Sequence, residues 1–148
     1  MKILIVEDDF HTRNGLIEIL EAEGYQTFAA ENGQQALSLF YEVQPDVVCL
    51  DIMMPEMNGY DVCRKIRIKN SEVSILFISA KSEEIDKVLG LELGADDFIV
   101  KPFGVKEVIA RIRAVTRRNQ ERINSEALTD FQMADLRIFP KELRAKRG

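Results

Sequence analysis

The chain has 148 residues, 46% of them hydrophobic and 30% charged, with a formal net charge of -5. Such a balance suits a globular protein able to bury a core, and no apolar run approaches the ~20 residues that cross a bilayer. The start, Met1-Lys2-Ile3-Leu4, lacks the layout of a signal peptide, so a cytoplasmic location and no membrane partner are expected.

Charge divides the chain. Residues 1 to 118 hold 14 Lys and Arg against 20 Asp and Glu, a balance of -6, while the last 30 residues hold 6 against 5. The acidic part is a poor binder of nucleic acid by itself, so any DNA contact must be made elsewhere. Cys49 and Cys63 fit reduced core thiols better than a disulfide or a metal pair.

In chain order, Lys2 to Val6 predicts a buried strand that ends in Glu7-Asp8-Asp9. Thr12 is expected to cap a helix with Leu16, Ile17 and Leu20 on its apolar face, closed by Gly24. Tyr25 to Ala30 alternates like an edge strand. Asn32 caps a helix presenting Ala36, Leu37 and Phe40, which stops at Gln44-Pro45 because a residue before proline is pushed out of helical geometry. Val47 to Leu50 is a short, β-branched run expected to be a strand buried on both faces, and Asp51 sits at its carboxyl end. Pro55 and Asn58-Gly59 then impose a loop.

Tyr60 to Lys69 predicts a helix with Val62, Cys63 and Ile66 inward, and Ser74 to Ile78 a fourth strand followed by Ser79-Ala80-Lys81. Ser82 begins a helix expected to turn Ile85, Val88, Leu89 and Leu93 inward before Gly94. Phe98 to Val100 is a short fifth strand leading into Lys101-Pro102-Phe103. The last helix has Val105, Val108, Ile109, Ile112 and Val115 at spacings of three and four.

Five strands alternating with five helices predict an α/β, doubly wound (βα)5 fold with a parallel sheet, for which the common order is 2-1-3-4-5. All carboxyl ends of such a sheet lie on one side. Glu7, Asp8, Asp51, Ser79 and Lys101 would therefore share a crevice. An Asp at a strand end is commonly a turn former or a cap, but three acids at close range resist ionising together unless a cation joins them. An all-oxygen set favours a hard ion, Mg2+ foremost where phosphate is handled. Lys101 offers a point charge for a phosphoryl oxygen and Ser79 a hydroxyl donor, leaving Asp51 as candidate nucleophile for phosphoryl transfer.

These residues resemble the receiver domains of bacterial two-component response regulators, a flavodoxin-like fold. The resemblance covers residues 1 to about 118 and rests on Glu7-Asp8, Asp51 with Pro55 and Gly59, Ser79-Ala80 and Lys101-Pro102-Phe103. It implies that Asp51 accepts phosphate from the histidine of a sensor kinase. It also implies that Mg2+ (or Mn2+) is held by Asp8, Asp51 and the backbone carbonyl of Met53, with Glu7 acting through water. The protein would signal, performing only self-catalysed phosphotransfer and dephosphorylation. Ser79 and Lys101 would move inward on the phosphate, letting the aromatic ring of strand five, here Phe98, turn from exposed to buried. Without a hydroxyl, this ring should favour the buried position. Met53 and Lys81 would tune the approach of hydrolytic water. Asp9 is read as a surface acid and His11 as an exposed residue of a helix's first turn.

The readout face resembles that of the OmpR/PhoB-type branch, which dimerises through helix four, strand five and helix five using crossed ion pairs. Lys87 with Glu107, Asp97 with Arg111 and Asp96 with Arg113 would be those pairs. Asn119 to Glu126 reads as a linker, and Phe131 to Pro140 with Glu142 to Arg147 looks like the opening strands of that branch's winged-helix DNA-binding domain, truncated before a recognition helix. DNA binding would need the complete effector domain. Two other classes lack their marks. A haloacid-dehalogenase-type phosphatase needs a second Asp where Met53 stands, and a flavodoxin-like electron carrier needs a phosphate loop where Glu7-Asp8-Asp9 stands. A single-domain receiver acting by protein contact alone is the nearer alternative.

Overall fold

The computed structural model describes residues 1–80 and 87–120, with the Lys87 side chain outside that set. The expectations placed on Lys81, Ser82, Ile85 and the tail from 121 onward fall outside the described residues. The chain divides into two units, Met1–Thr116 and Arg117–Gly148; of the second, residues 117–120 are described and are helical.

The elements of the first unit follow the expected alternation: β1 (Lys2–Val6), α1 (Phe10–Ala22), β2 (Gln26–Ala30), α2 (Gly33–Val43), β3 (Val47–Asp51), α3 (Gly59–Lys69), β4 (Ser74–Ala80), α4 (Lys87–Glu92) and β5 (Asp97–Lys101). Residues 105–120 form a last helix, α5. The five strands are parallel, in the order β2-β1-β3-β4-β5. This is the flavodoxin-like order expected from the sequence.

Strand periodicity sorts the core into two layers, because successive side chains leave opposite faces of the sheet. Leu4, Val6, Val48, Leu50, Ile75 and Phe77 join Ala36 and Phe40 of α2 and Val62, Cys63 and Ile66 of α3. Ile3, Ile5, Val47, Cys49, Leu76, Ile78 and Ile99 join Leu16 and Leu20 of α1 and Val108 and Ile112 of α5. Each such fully buried aliphatic side chain contributes roughly 1.5–3 kcal/mol by leaving water, so among the described residues the central strands are the most firmly held. Burial pushes the Cys49 thiol up to about 12 and the Cys63 thiol up to about 11, leaving both without thiolate character near neutrality.

Several local expectations are corrected. Helix α1 begins at Phe10, capped by Asp9, whose carboxylate accepts from the Thr12 backbone N–H at 2.9 Å and its hydroxyl at 2.8 Å. Asp9, three residues earlier, takes the cap expected of Thr12 because its carboxylate reaches the orphan amides of the first turn. Strands β4 and β5 run longer than predicted, so Ser79 and Lys101 lie within strands instead of after them. Val88 and Val105, expected inward, are 66% and 55% exposed. In α4 buried Gly90 faces the core, with partly buried Leu93 just past the helix end, which turns Val88 outward. Val105 opens α5 nearly one turn before Val108, the first of its residues to reach the core.

Candidate functional site

The parallel sheet brings its charged residues together at the carboxyl ends of β1, β3 and β5. Glu7 follows β1 directly and is 1% exposed, while Asp51 closes β3 and is 2% exposed. Asp8 is exposed beside them, and one carboxylate oxygen from each of Glu7, Asp8 and Asp51 lies within 4.8 Å of the others. Lys101 reaches in from β5, its Nζ 3.0 Å from Glu7 Oε1 and 3.8 Å from Asp51 Oδ1. Ser79 is buried on β4, paired in register with Val100 of β5.

One ammonium thus faces three carboxylates. Burial pushes the Asp51 carboxyl up to about 8, and the Glu7 charge pushes in the same direction against the pull of Lys101. Among the described residues, Glu7 Oε1 is the one buried side-chain oxygen lacking a hydrogen bond, with the Lys101 ammonium as its counter-charge. A reluctant acid and three converging oxygen donors that share one ammonium fit a small divalent cation, which would complete the neutralisation.

The backbone holds this arrangement in place. Glu7 N–H donates to the Ala30 carbonyl at 3.1 Å, and Glu7 Oε2 accepts from Asp9 N–H at 3.1 Å. After Asp51, the Ile52 carbonyl accepts from Gly59 N–H at 2.8 Å, pulling the start of α3 onto the end of β3. A Cβ at Gly59 would collide with the Asp51 carbonyl oxygen and lie 2.8 Å from Ile52 Cα. Only glycine allows that approach. Met53 lies in the same loop and is half-exposed. Beside Lys101 opens a groove of about 600 Å3 lined by His11, Thr12, Gly15, Ala80, Pro102 and Phe103.

Sequence reasoning overlooked Arg13. Its guanidinium donates to the Glu7 carbonyl at 2.8 Å and the Asp8 carbonyl at 3.4 Å, which fixes the acidic turn from behind. A basic residue in the helix that follows an acidic strand end was the available signal.

On the opposite side of β5, the charged residues named for a readout face have the following neighbours within the chain. Arg111 meets Asp97 at 2.9 Å and Glu107 at 3.7 Å, and this pairing raises the Arg111 pKa. Asp96 and Arg113 do not meet: Asp96 is held by Arg67 at 3.1 Å, and Arg113 reaches Glu23 at 2.7 Å. The Phe98 ring, partly buried, packs against Phe77 with centroids 5.5 Å apart.

With this geometry in view, residues 3–113 match the model of the response regulator receiver domain, and the chain belongs to that family. It is 49% identical over 146 residues to a "Probable transcriptional regulator ycf27" of Guillardia theta, covering 99% of this chain and 57% of the relative. A "Probable transcriptional regulatory protein" of Picosynechococcus sp. is 42% identical over 150 residues, covering 97% of this chain and 60% of that one. The chain therefore spans less than two thirds of these relatives' length. Among solved structures, the receiver domain of a Francisella response regulator superposes with a TM-score of 0.72 at 31% identity, over 79% of this chain and 97% of that one.

Proposed function

We propose that this chain is the phosphoacceptor part of a response regulator that controls transcription, taking a phosphoryl group onto Asp51 from the phosphohistidine of a sensor kinase. The observation that carries the reading is the buried Asp51 carboxyl set among Glu7, Asp8 and Lys101. An Asp51 oxygen attacks phosphorus, the P–N bond breaks, the imidazole leaves with the electron pair, and an acyl phosphate remains on the chain. Lys101 Nζ already stands 3.8 Å from the attacking carboxylate, where it can meet the oxygens of the transferred group. Ser79 offers a hydroxyl to the same oxygens, and the groove beside Lys101 gives the donor room to approach.

Asp8, Asp51 and the Met53 carbonyl, with Glu7 through water, would hold Mg2+ or Mn2+. The ion supplies charge neutralisation for acid cluster and phosphate alike. Residues 1–118 would form the receiver, and 119–148 a linker and the opening of a winged-helix DNA-binding domain whose completion lies in a longer chain. Phosphorylation would favour a homodimer through α4, β5 and α5. Asp97, Glu107 and Arg111 lie close together there and can exchange partners with a second copy; Asp96 and Arg113 would first have to leave Arg67 and Glu23. Relatives described as transcriptional regulators support the link to DNA.

The test is incubation with acetyl phosphate and Mg2+, read by intact mass and size exclusion. Wild type is expected to gain about 80 Da, one phosphoryl group, and to shift toward dimer; Asp51→Asn should do neither. Equal modification of Asp51→Asn would overturn the assignment of the acceptor. Phosphorylated Arg111→Glu that still dimerises would overturn the assignment of the dimer face.

A further inference from the structure

We propose that Gly90 is a positioning residue for Phe98, its missing side chain being what allows the ring to rest between Phe77 and the α4 backbone. A Cβ built on Gly90 would lie 2.6 Å from Phe98 Cζ and 3.1 Å from Phe77 Cε2, so the α4 backbone closes directly over the two rings. Phe98 is then confined between Phe77 of β4 and the bare face of α4, and Phe77 in turn meets Tyr60 at 5.5 Å, edge to face. Tyr60 adjoins Gly59, which packs on the Asp51 carbonyl, so three rings run from the Asp51 loop to β5. Phe98 also borders a groove of about 320 Å3, together with Leu91, Asp97, Val100, Glu107 and Arg111.

A methyl group at position 90 and the inward ring cannot share the same space. The atom in conflict is the far end of a side chain that can rotate, and the groove is where it can go. Gly90 therefore sets the starting position of Phe98 and keeps the Asp97–Arg111 groove clear. That this groove belongs to a dimer face rests on the function proposed above; the ring position does not.

Nuclear Overhauser contacts between the Phe98 and Phe77 rings, read on the unphosphorylated chain, decide the matter. Gly90→Ala should lose them and gain contacts from Phe98 to Leu91. Gly15→Ala, a helical site where an added Cβ meets nothing within 4 Å, should keep them. Retention of the Phe77 contacts in Gly90→Ala overturns the proposal. If Gly90→Ala does not fold, the double variant Gly90→Ala/Phe98→Ala must fold; failure of both would mean that Phe77 bars the Cβ, and the proposal falls. After phosphorylation, Gly90→Ala should dimerise at least about fivefold more weakly than Gly15→Ala, and equal dimerisation with the ring displaced would overturn the assignment of the groove to the dimer face. The ring contacts are read without phosphate, so they stand or fall independently of Asp51 chemistry.

Discussion

Two charged clusters sit near opposite ends of the sheet, and they are finished to different degrees. At the end where β4 begins, Arg67 donates to the Gly94 carbonyl at 2.9 and 2.7 Å, to the carbonyls of Val73 at 2.6 Å and Asn70 at 3.3 Å, and to Asp96 at 3.1 Å. Asp96 also accepts from Ile75 N–H at 2.8 Å. One cation meets one anion and a set of carbonyls, so the cluster joins α3, β4 and the turn before β5 with its polar groups paired. At the end where β3 and β5 finish, one ammonium faces three carboxylates, a buried oxygen lacks a hydrogen bond and Asp51 resists ionisation. A cluster that only holds a fold together satisfies its groups, as the first one does. The second keeps an excess of negative charge, which a cation can neutralise.

Removing Arg67 should therefore cost more than anything done to the acidic cluster. Arg67→Met leaves the Asp96 charge and several carbonyls unpaired, and a loss of roughly 3 kcal/mol is expected in urea unfolding. A loss below about 1 kcal/mol would mean that the junction is solvated and the contrast false. Divalent ion should act in the opposite sense at the other end: Mg2+ at tenfold its dissociation constant should stabilise wild type by about 1.4 kcal/mol. That gain should be smaller at pH 5, where protons compete for Asp51, and smaller still in Asp51→Asn. Equal thermal shifts in the two proteins would place the ion elsewhere. Asp9→Ala, which removes only the α1 cap, should give the smallest loss, a slight drop in unfolding midpoint; no change in midpoint would show that another group caps the helix.

The fold was legible because its signal is periodic. Alternation of short β-branched runs with helical faces implies the strand order, and parallel topology then puts Glu7, Asp8, Asp51, Ser79 and Lys101 along one edge. What escaped depends on contacts that periodicity does not encode. Asp9 caps α1 because its carboxylate lies within reach of the Thr12 amide, a competition with Thr12 that either residue type could have won. Arg67 spans to residues 27 and 29 positions away, and nothing in its helix distinguishes it from the exposed Arg64. Gly90 reads as a helix-weakening residue until the two rings beneath it are seen. Within the chain Asp96 is held by Arg67 and Arg113 by Glu23, partners that lie far away in sequence and that no local pattern announces.

Whether the Asp51 cluster carries uncompensated negative charge in the folded chain is tested most directly by the stability of wild type against Asp51→Asn across pH, in chelator. With the folded Asp51 carboxyl raised to about 8 from an ordinary value of 3.8, ionisation penalises the folded state progressively as pH rises from about 4 to 8. The account predicts that the two proteins have similar stability near pH 4, and that Asp51→Asn becomes the more stable as pH climbs, by on the order of a few kcal/mol near pH 8. A difference that stays flat over that range, or that favours wild type at high pH, would contradict it.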